Sequence, residues 1–466
     1  MNTDVPASTS SDIPTSMTGT GTIFGHPKGL AVLFGTEMWE RFNYYGMRAL
    51  LVLYMVKYLF LPGHVEHVLG FSALKGALES MFGPLETQPL TSQIYGFYTA
   101  FVYMTPFFGG MIADRVLGQR RSVYVGGLLM AAGEFLLTRD ALFFPGLLAI
   151  ILGNGLFKPN ISTQVGGLYA PGDNRRDRAY SIFYVGVNLG AFMAPLVAGT
   201  LGEEVGWHLG FAAAGIGMLI GLVTYALGQR HLPPDELTKS KAARKDHKPL
   251  DGEEWKAVFA LLTITVLVSF FWATYEQSGN TMSLWADENT DRTVALFGHS
   301  WVIPVTWFQS VNPIMIFAFT PAIIWAWARQ TRKGTEPSTV NKMAIGCFLV
   351  TVSNLVMAGA AILSGGDKAS WFWIILYNTT LTLGELYLSP VGLSLVSKVA
   401  PARIVSAMMG IWFIANFMGN LLSGYLGSFW SRMEKPHFFL MIAGISFMAG
   451  LAIAAFNRTL KPILKQ

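Results

Sequence analysis

Between Gly35 and Leu51 the chain reads Gly-Thr-Glu37-Met-Trp-Glu40-Arg41-Phe42-Asn43-Tyr44-Tyr45-Gly46-Met-Arg48-Ala-Leu-Leu, so acids and cations sit inside an otherwise apolar run. On a helix, at about 100° per residue, Glu37, Arg41, Tyr44 and Arg48 fall within about 60° of one another, with Glu40 flanking them. Carboxylates beside fixed cations can take up and release protons, and a cation not fully committed to them can hold an anionic group. Each charge at a bilayer centre costs roughly 2.5–3.5 kcal/mol on insertion scales. The stripe must therefore face a watered or protein-lined interior, where such charges mark a substrate or ion pathway.

Other apolar segments add to this set. Gly153-Asn-Gly-Leu-Phe-Lys158-Pro159 places a lysine one turn inside a helix, too deep to snorkel easily, and Glu37 and Glu40 are its candidate counter-charges. A purely structural pair is the alternative, although a buried pair often stabilises less than an apolar substitute. Phe271-Trp272-Ala-Thr-Tyr275-Glu276-Gln277-Ser-Gly279 contributes Glu276. Glu385 is the only acid between 371 and 398, Gln309 and Asn312 precede Pro313, and Trp412 precedes Asn416 by one turn. Cations thus belong to the first half of the chain (Arg41, Arg48, Lys158) and isolated acids to the second (Glu276, Glu385). A zwitterion with separated carboxylate and amine would match a cavity between them. Tyr44, Tyr45, Tyr103, Trp272 and Trp412 either line side-chain pockets there or serve as packing.

The elements that must position these groups follow from composition. The 466 residues are 52% hydrophobic and 13% charged, with mean hydropathy +0.42. Soluble domains carry about 25% charged residues, so the chain reads as an all-α, polytopic membrane protein. Apolar runs predict twelve transmembrane helices at 28–59, 93–113, 122–138, 144–168, 179–201, 209–228, 257–280, 307–328, 342–364, 371–398, 404–429 and 438–458. With an inward N-terminus, the inner loops hold about three times as many Lys and Arg as the outer ones, which orients both termini to the cytoplasm. Residues 1–27, rich in Ser, Thr and Pro, read as a disordered cytoplasmic tail, and 459–466 as a second tail.

Residues 229–256 form the most charged segment and read as a cytoplasmic linker between an N-terminal six-helix bundle (28–228) and a C-terminal one (257–458). Its basic residues need do no more than lie near anionic lipid. The halves match internally at an offset near 230: Trp39…Gly46 with Trp272…Gly279, Lys158-Pro159 with Ser389-Pro390, Ala170-Pro171 with Ala400-Pro401, and Asn188 with Asn416. A parallel duplication of this kind places substrate near the midplane, with Glu276 across the cavity from Arg48. Prolines inside spans (Pro106, Pro159, Pro195, Pro313, Pro321, Pro390) act either as hinges or as static kinks.

Several chemistries are excluded. The single cysteine, Cys347, rules out an internal disulfide and a cysteine-built metal site. All eight histidines fall in loops or at span ends, so in-membrane haem ligation is ruled out and any proton relay must use carboxylates. No phosphate-binding loop, zinc-protease motif or nucleophile elbow occurs. No metal, cofactor, catalytic residue or nucleic-acid partner is expected, and the chain is not read as an enzyme.

Glu37-x-x-Glu40-Arg41-Phe42-x-Tyr44-Tyr45-Gly46 resembles the ExxERFxYYG signature of the proton-dependent oligopeptide transporters, a branch of the major facilitator superfamily. Phe183-Tyr184-Val-Gly-Val-Asn188-Leu-Gly190-Ala resembles the fifth-helix motif of that family. Gly384-Glu385-Leu-x-Leu-Ser389-Pro390-x-Gly392 resembles its tenth-helix motif, and Gly110 to Arg121 resembles the superfamily loop between helices 2 and 3. The resemblance covers essentially the whole chain. It implies that Glu37, Glu40 and Arg41 form a proton-linked cluster with Lys158, and that Glu276 is a further proton site paired with Arg48. It implies that Arg48, Lys158 and the tyrosines hold a peptide carboxylate, that Glu385 with Asn312 holds the amine, and that Asn188 belongs to the same binding site. Asp114, Arg115, Arg120 and Arg121 become a cytoplasmic gate latch. Many bacterial members carry two extra helices between the halves; the linker here is too short and charged for them. Animal members use a second-helix histidine that this chain lacks. A minimal bacterial member follows.

The expectation is therefore a monomeric, multi-pass symporter of the bacterial inner membrane that imports di- and tripeptides with protons as the coupling ion. The main alternative is another small organic or anionic solute on the same scaffold, which the acid Glu385 disfavours for anions.

Overall fold

The computed structural model describes residues 22–170, 172–233, 251–296, 298–401 and 404–464. Most of the expected tail (1–27) and linker (229–256) lies outside these residues. Fourteen α-helices follow in order: α1 (Lys28–Tyr54), α2 (Phe71–Phe82), α3 (Thr87–Ile112), α4 (Gln119–Leu137), α5 (Phe143–Gly167), α6 (Arg175–Ala194), α7 (Trp207–Gly228), α8 (Gly252–Tyr275), α9 (Thr281–Glu288), α10 (Val311–Arg332), α11 (Thr339–Leu363), α12 (Phe372–Val399), α13 (Val405–Gly427) and α14 (Lys435–Leu464). All but α2 and α9 are long, and each expected apolar run is occupied by one long helix. Among the described residues, seven helical stretches are long and apolar enough to cross a membrane by length and composition. Helix α1 is not among them, because Glu37, Glu40, Arg41 and Arg48 interrupt its apolar sequence.

Local chemistry explains where several helices start and stop. Asp251 caps α8: its carboxylate accepts the Glu254 N–H at 2.8 Å while the Glu254 side chain accepts the Asp251 N–H at 2.9 Å. The same helix does not run unbroken to 280, as its apolar run implies. It ends at Tyr275, passes through a 3-10 turn at Glu276–Gly279 and resumes as α9. Asn280, with φ −107° and ψ −94°, leaves helical geometry and sets that break. At the other end of the chain, α14 continues to Leu464, so residues 459–464 are helix and not tail.

Two features were not expected from the sequence. Helix α2 follows α1 outside the long helices, and Thr293–Leu296 pairs antiparallel with His299–Val302. Wide π-helical turns also occur, at Met55–Leu59, Ala113–Leu117, Pro195–Gly199 and Leu201–Val205. Two of these extend α6 to Val205.

Helices α1 and α3–α7 pack among themselves, as do α8 and α10–α14. These groups are called here the N-terminal and C-terminal groups. One end of the molecule, the tail end, is tied within the N-terminal group by Arg120 Nη2 on the Leu232 and Pro233 carbonyls, and by His26 Nδ1 with Tyr169 OH at 2.7 Å. The opposite end, the loop end, carries the contacts that cross between groups. Ser92 Oγ donates to Asn280 Oδ1 at 3.0 Å, Gln88 Nε2 to the Gly427 carbonyl at 3.0 Å, Trp307 Nε1 to Thr200 Oγ1 at 2.7 Å and Lys57 Nζ to Asp287 Oδ1 at 2.8 Å. Among the described residues, no hydrogen bond or ion pair joins the groups at the tail end. Among the described residues these polar contacts concentrate at the loop end, while α3 and α13 also meet toward the tail end, where Phe107 lies beside Gly410.

Helices α3 and α13 make the closest backbone approach across that closure. A Cβ added at Gly96 would stand 2.7 Å from Gly424 Cα and 2.8 Å from the Asn420 carbonyl oxygen. Rigid backbone cannot yield to it, so Gly96→Val is expected to cost about 1–3 kcal/mol by overpacking. Thermal melting of the detergent-solubilised protein should show a lower midpoint. An unchanged midpoint would mean that this crossing does not hold the closed end.

Candidate functional site

A cavity of about 400 Å³ lies between the two groups, inside the range of small-ligand sites. Its N-terminal wall includes Tyr45, Arg48, Tyr103, Lys158 and Asn188. Its C-terminal wall includes Trp272, Glu276, Asn312, Glu385 and Trp412. Cations and lone acids from opposite halves of the chain therefore face one void.

Arg48 and Glu276 form an ion pair and hydrogen bond, Nη2 to Oε2, directly across the groups. Arg48 is 8% exposed and Glu276 1%. Arg48 Nε also donates to Tyr95 OH at 2.8 Å, so the guanidinium is fixed by helix α3 as well. The break after Tyr275 matters here, because Glu276 opens the 3-10 turn that presents its carboxylate to α1. Gly279 completes the arrangement: a Cβ there would meet Tyr95 OH at 2.1 Å and Arg48 Nη2 at 2.9 Å.

Glu385 is held differently. Its Oε2 accepts from Tyr275 OH at 2.6 Å and from Asn312 Nδ2 at 3.0 Å, while Asn312 also donates to Thr382 Oγ1 at 2.9 Å. Among the described residues no protein donor reaches Oε1, and the side chain lines the cavity. One oxygen is anchored, and the other has no hydrogen-bond partner among the described residues. Neutral donors orient this acid, whereas Glu276 has a cation.

The Glu37-Glu40-Arg41 cluster lies behind the cavity wall, buried in α1. Arg41 makes a two-pronged contact with Glu40, Nε to Oε2 at 2.5 Å and Nη2 to Oε1 at 2.7 Å, and lies 3.3 Å from Glu37 Oε1. Lys158 makes no direct ion pair with this cluster among the described residues, and its Nζ sits 5.0 Å from the centroid of the Tyr103 ring, on the cavity surface. Arg41 commits both hydrogen bonds to Glu40 and leaves the buried Glu37 Oε2 without a hydrogen-bond partner. Tyr44 does not reach the void either. One residue of helix turns it about 100° from Tyr45, and it is buried with its ring edge-on to Tyr45 at 5.2 Å and beneath the Arg41 guanidinium.

The expected gate latch is not assembled in this conformation. Asp114 and Arg115 stand exposed in the π-helical turn after α3, and Arg121 is exposed at the start of α4. Arg120 caps the carbonyls of Leu232 and Pro233 instead of meeting an acid.

Sequence reasoning missed Tyr275 and Tyr184 as cavity residues. Tyr275 could have been found from its position beside Glu276. Tyr184 lies in the Phe183–Asn188 stretch, one turn before Asn188 on the same face.

The fold and site define a helical membrane transporter with a charged central cavity. A profile described as the POT family, PTR2, matches residues 120–250 and 236–445. The chain is 32% identical to a di-/tripeptide transporter of Lactococcus lactis subsp. cremoris, covering 95% of this chain and 97% of that one. It is 34% identical to peptide transporter YePEPT of Yersinia enterocolitica subsp. palearctica, covering 89% and 90%. A crystal structure of a mutant peptide transporter POT in complex with alafosfalin superposes with TM-score 0.83 at 32% identity, covering 96% of this chain and 98% of that one. The chain belongs to the POT family. Its kin are transporters and not enzymes.

A methyl group at residue 279 tests the geometry of the cross-group pair. Gly279→Ala must displace Arg48 or Tyr95, and uptake into proteoliposomes should fall at least about tenfold, the consequence of misplacing a charge-assisted contact. The folded protein should still elute as a single species. Wild-type uptake in that variant would mean that the Arg48–Glu276 geometry does not matter.

Proposed function

We propose that this protein is a proton-coupled symporter that imports di- and tripeptides across a bacterial inner membrane by alternating access. The single observation that carries the reading is the Arg48–Glu276 pair, which spans the groups in the same cavity that holds Glu385. In this reading the twelve long helices are twelve spans in two six-helix bundles, residues 28–228 and 257–458, joined by the 229–256 linker. Both termini are cytoplasmic, and the polar closure at the loop end corresponds to an inward-facing state. The relatives named as di-/tripeptide and peptide transporters support the substrate class.

Arg48 and Lys158 would hold the peptide carboxylate, and Glu385 would meet the amine through Oε1. Tyr45, Tyr103, Asn188, Trp272 and Trp412 would line the rest of the chamber. A peptide carboxylate competes with Glu276 for Arg48. A proton delivered to Glu276 removes its charge, so Arg48 is freed for the substrate and the charge count of the closed chamber is kept low. Glu37, Glu40 and Arg41 would form a second proton-linked group on the same helix as Arg48. Asp114, Arg115, Arg120 and Arg121 would close the cytoplasmic side in the alternate state. The membrane potential supplies about 2.3 kcal/mol per charge per 100 mV, about 50-fold accumulation for one proton.

Uptake of dialanine into proteoliposomes, with and without an imposed pH gradient, tests the substrate and the coupling together. Accumulation should require the gradient and be competed by other dipeptides; no accumulation would end the peptide reading. Glu276→Gln should abolish gradient-driven accumulation while exchange persists, whereas normal accumulation would remove Glu276 from coupling.

Peptides with blocked amines separate the role of Glu385 from general packing. Glu385→Ala should weaken binding of free-amine dipeptides by about tenfold or more and that of N-acetylated ones much less, as expected for loss of one charge-assisted contact. Equal losses would contradict amine recognition.

A further inference from the structure

We propose that Glu203 is the latch of the loop-end gate and, through the segment it holds, a positioning residue for the binding cavity; this rests on the alternating-access reading above. Glu203 lies in Leu201–Val205, the second π-helical turn at the end of the N-terminal group's α6. Its carboxylate crosses to the C-terminal group and accepts two backbone hydrogen bonds, Oε2 from the Val305 N–H at 2.8 Å and Oε1 from the Thr306 N–H at 2.7 Å. Those donors are the first of the 3-10 turn Val305–Ser310, which runs directly into α10.

The chemistry favours a carboxylate at this spot. The first N–H groups of a helix have no partner inside it, and the peptide dipoles put partial positive charge there. Pro304 precedes the turn and offers no capping side chain. Glu203 supplies the missing acceptor from the opposite group, with both oxygens engaged and full charge assistance. The neighbouring cross-group contacts are neutral: Trp307 Nε1 to Thr200 Oγ1 and Ser310 Oγ to the Phe192 carbonyl at 2.8 Å. Other charged contacts at this end, Lys57 with Asp287 and Arg432 with the Pro84 carbonyl, are exposed or half exposed, where such contacts contribute little.

The latched segment is also a cavity wall. Val305, Phe308, Gln309 and Asn312 all line the void, and Asn312 holds Glu385. Releasing Glu203 would free the start of α10 and with it the register of Asn312 against Glu385. The exchange is between a backbone donor bound to carboxylate and the same donor bound to water, so its net size is modest and reversible. That suits a gate that must open on every cycle.

The gate can be read without reference to the transported solute. Ser283 lines the cavity on α9, and Cys347, the sole native cysteine, is buried. A Ser283→Cys reporter in a Cys347→Ser background is labelled with a membrane-impermeant maleimide applied to the loop-end face of sealed vesicles. Glu203→Ala should raise the labelling rate about tenfold through loss of two charge-assisted bonds. Glu203→Gln, which keeps an acceptor oxygen but no charge, should give a smaller rise, and Glu204→Ala, at an exposed neighbour, none. A wild-type rate in Glu203→Ala, or an equal rise in Glu204→Ala, overturns the latch. Parallel samples retaining Cys347 and lacking the reporter show whether a variant has unfolded; if Glu203→Ala exposes that thiol, Glu203→Gln decides alone, and a wild-type rate there overturns the proposal. Failure of dialanine uptake by the wild-type protein would sink the peptide reading and leave this measurement standing.

Discussion

Two buried charges on opposite helix groups, Arg48 and Glu276, impose the constraint from which the rest of the interior follows. Removing two ions from water costs more than their attraction returns unless the geometry is good and further hydrogen bonds complete it. Three features supply those conditions: Tyr95 takes the Arg48 Nε–H, the break after Tyr275 turns Glu276 inward, and Gly279 leaves room for the guanidinium. Neither partner is tolerated alone in so dry a place. Any arrangement that separates the pair must give each charge another way to be satisfied. A pair of this kind adds little to stability, and its value lies in having two ways to be satisfied.

The same logic explains why the polar contacts across the groups gather at one end. A gate cannot be sealed by a large apolar interface and still open readily. At the loop end the groups meet through hydrogen bonds such as Ser92–Asn280 and Gln88–Gly427, all made by groups that water can satisfy instead. Small residues, Gly96 against Gly424, let the backbones approach without interlocked side chains. Within each group long helices bury their apolar faces against one another, and across the groups α3 packs on α13.

Much of this interior was legible in the sequence because charge inside an apolar helix has so few explanations. Arg48, Lys158, Glu276 and Glu385 all reach the cavity, and the twelve apolar runs each became a helix. What was illegible depended on partners distant in sequence or on side-chain direction. Charge counting paired Lys158 with the α1 acids but could not show that Arg41 makes the direct contacts with them while Lys158 stands over the Tyr103 ring. Tyr44 and Tyr45 are adjacent and chemically alike, and only the helix rotation separates the buried ring from the cavity ring. The polar run Glu276-Gln277-Ser278-Gly279-Asn280 marked the end of the span but did not show that the helix stops at Tyr275 and resumes as α9. Glu203 sits beside a loop and bonds to backbone about a hundred residues away, which no pattern of side chains announces.

The two cavity acids illustrate how environment divides labour between identical groups. Glu276 faces a cation, so its ionised form is neutralised by Arg48 and its protonated form sets Arg48 free. Glu385 faces neutral donors, Tyr275 and Asn312, which orient one oxygen without cancelling the charge. A site with a compensated acid can change its state when a proton arrives. A site with an uncompensated but oriented acid keeps its negative charge without a facing cation. Exchanging the partners would exchange the roles. The chemistry thus resides less in the carboxylates themselves than in the arginine across from one and the phenol and amide beside the other.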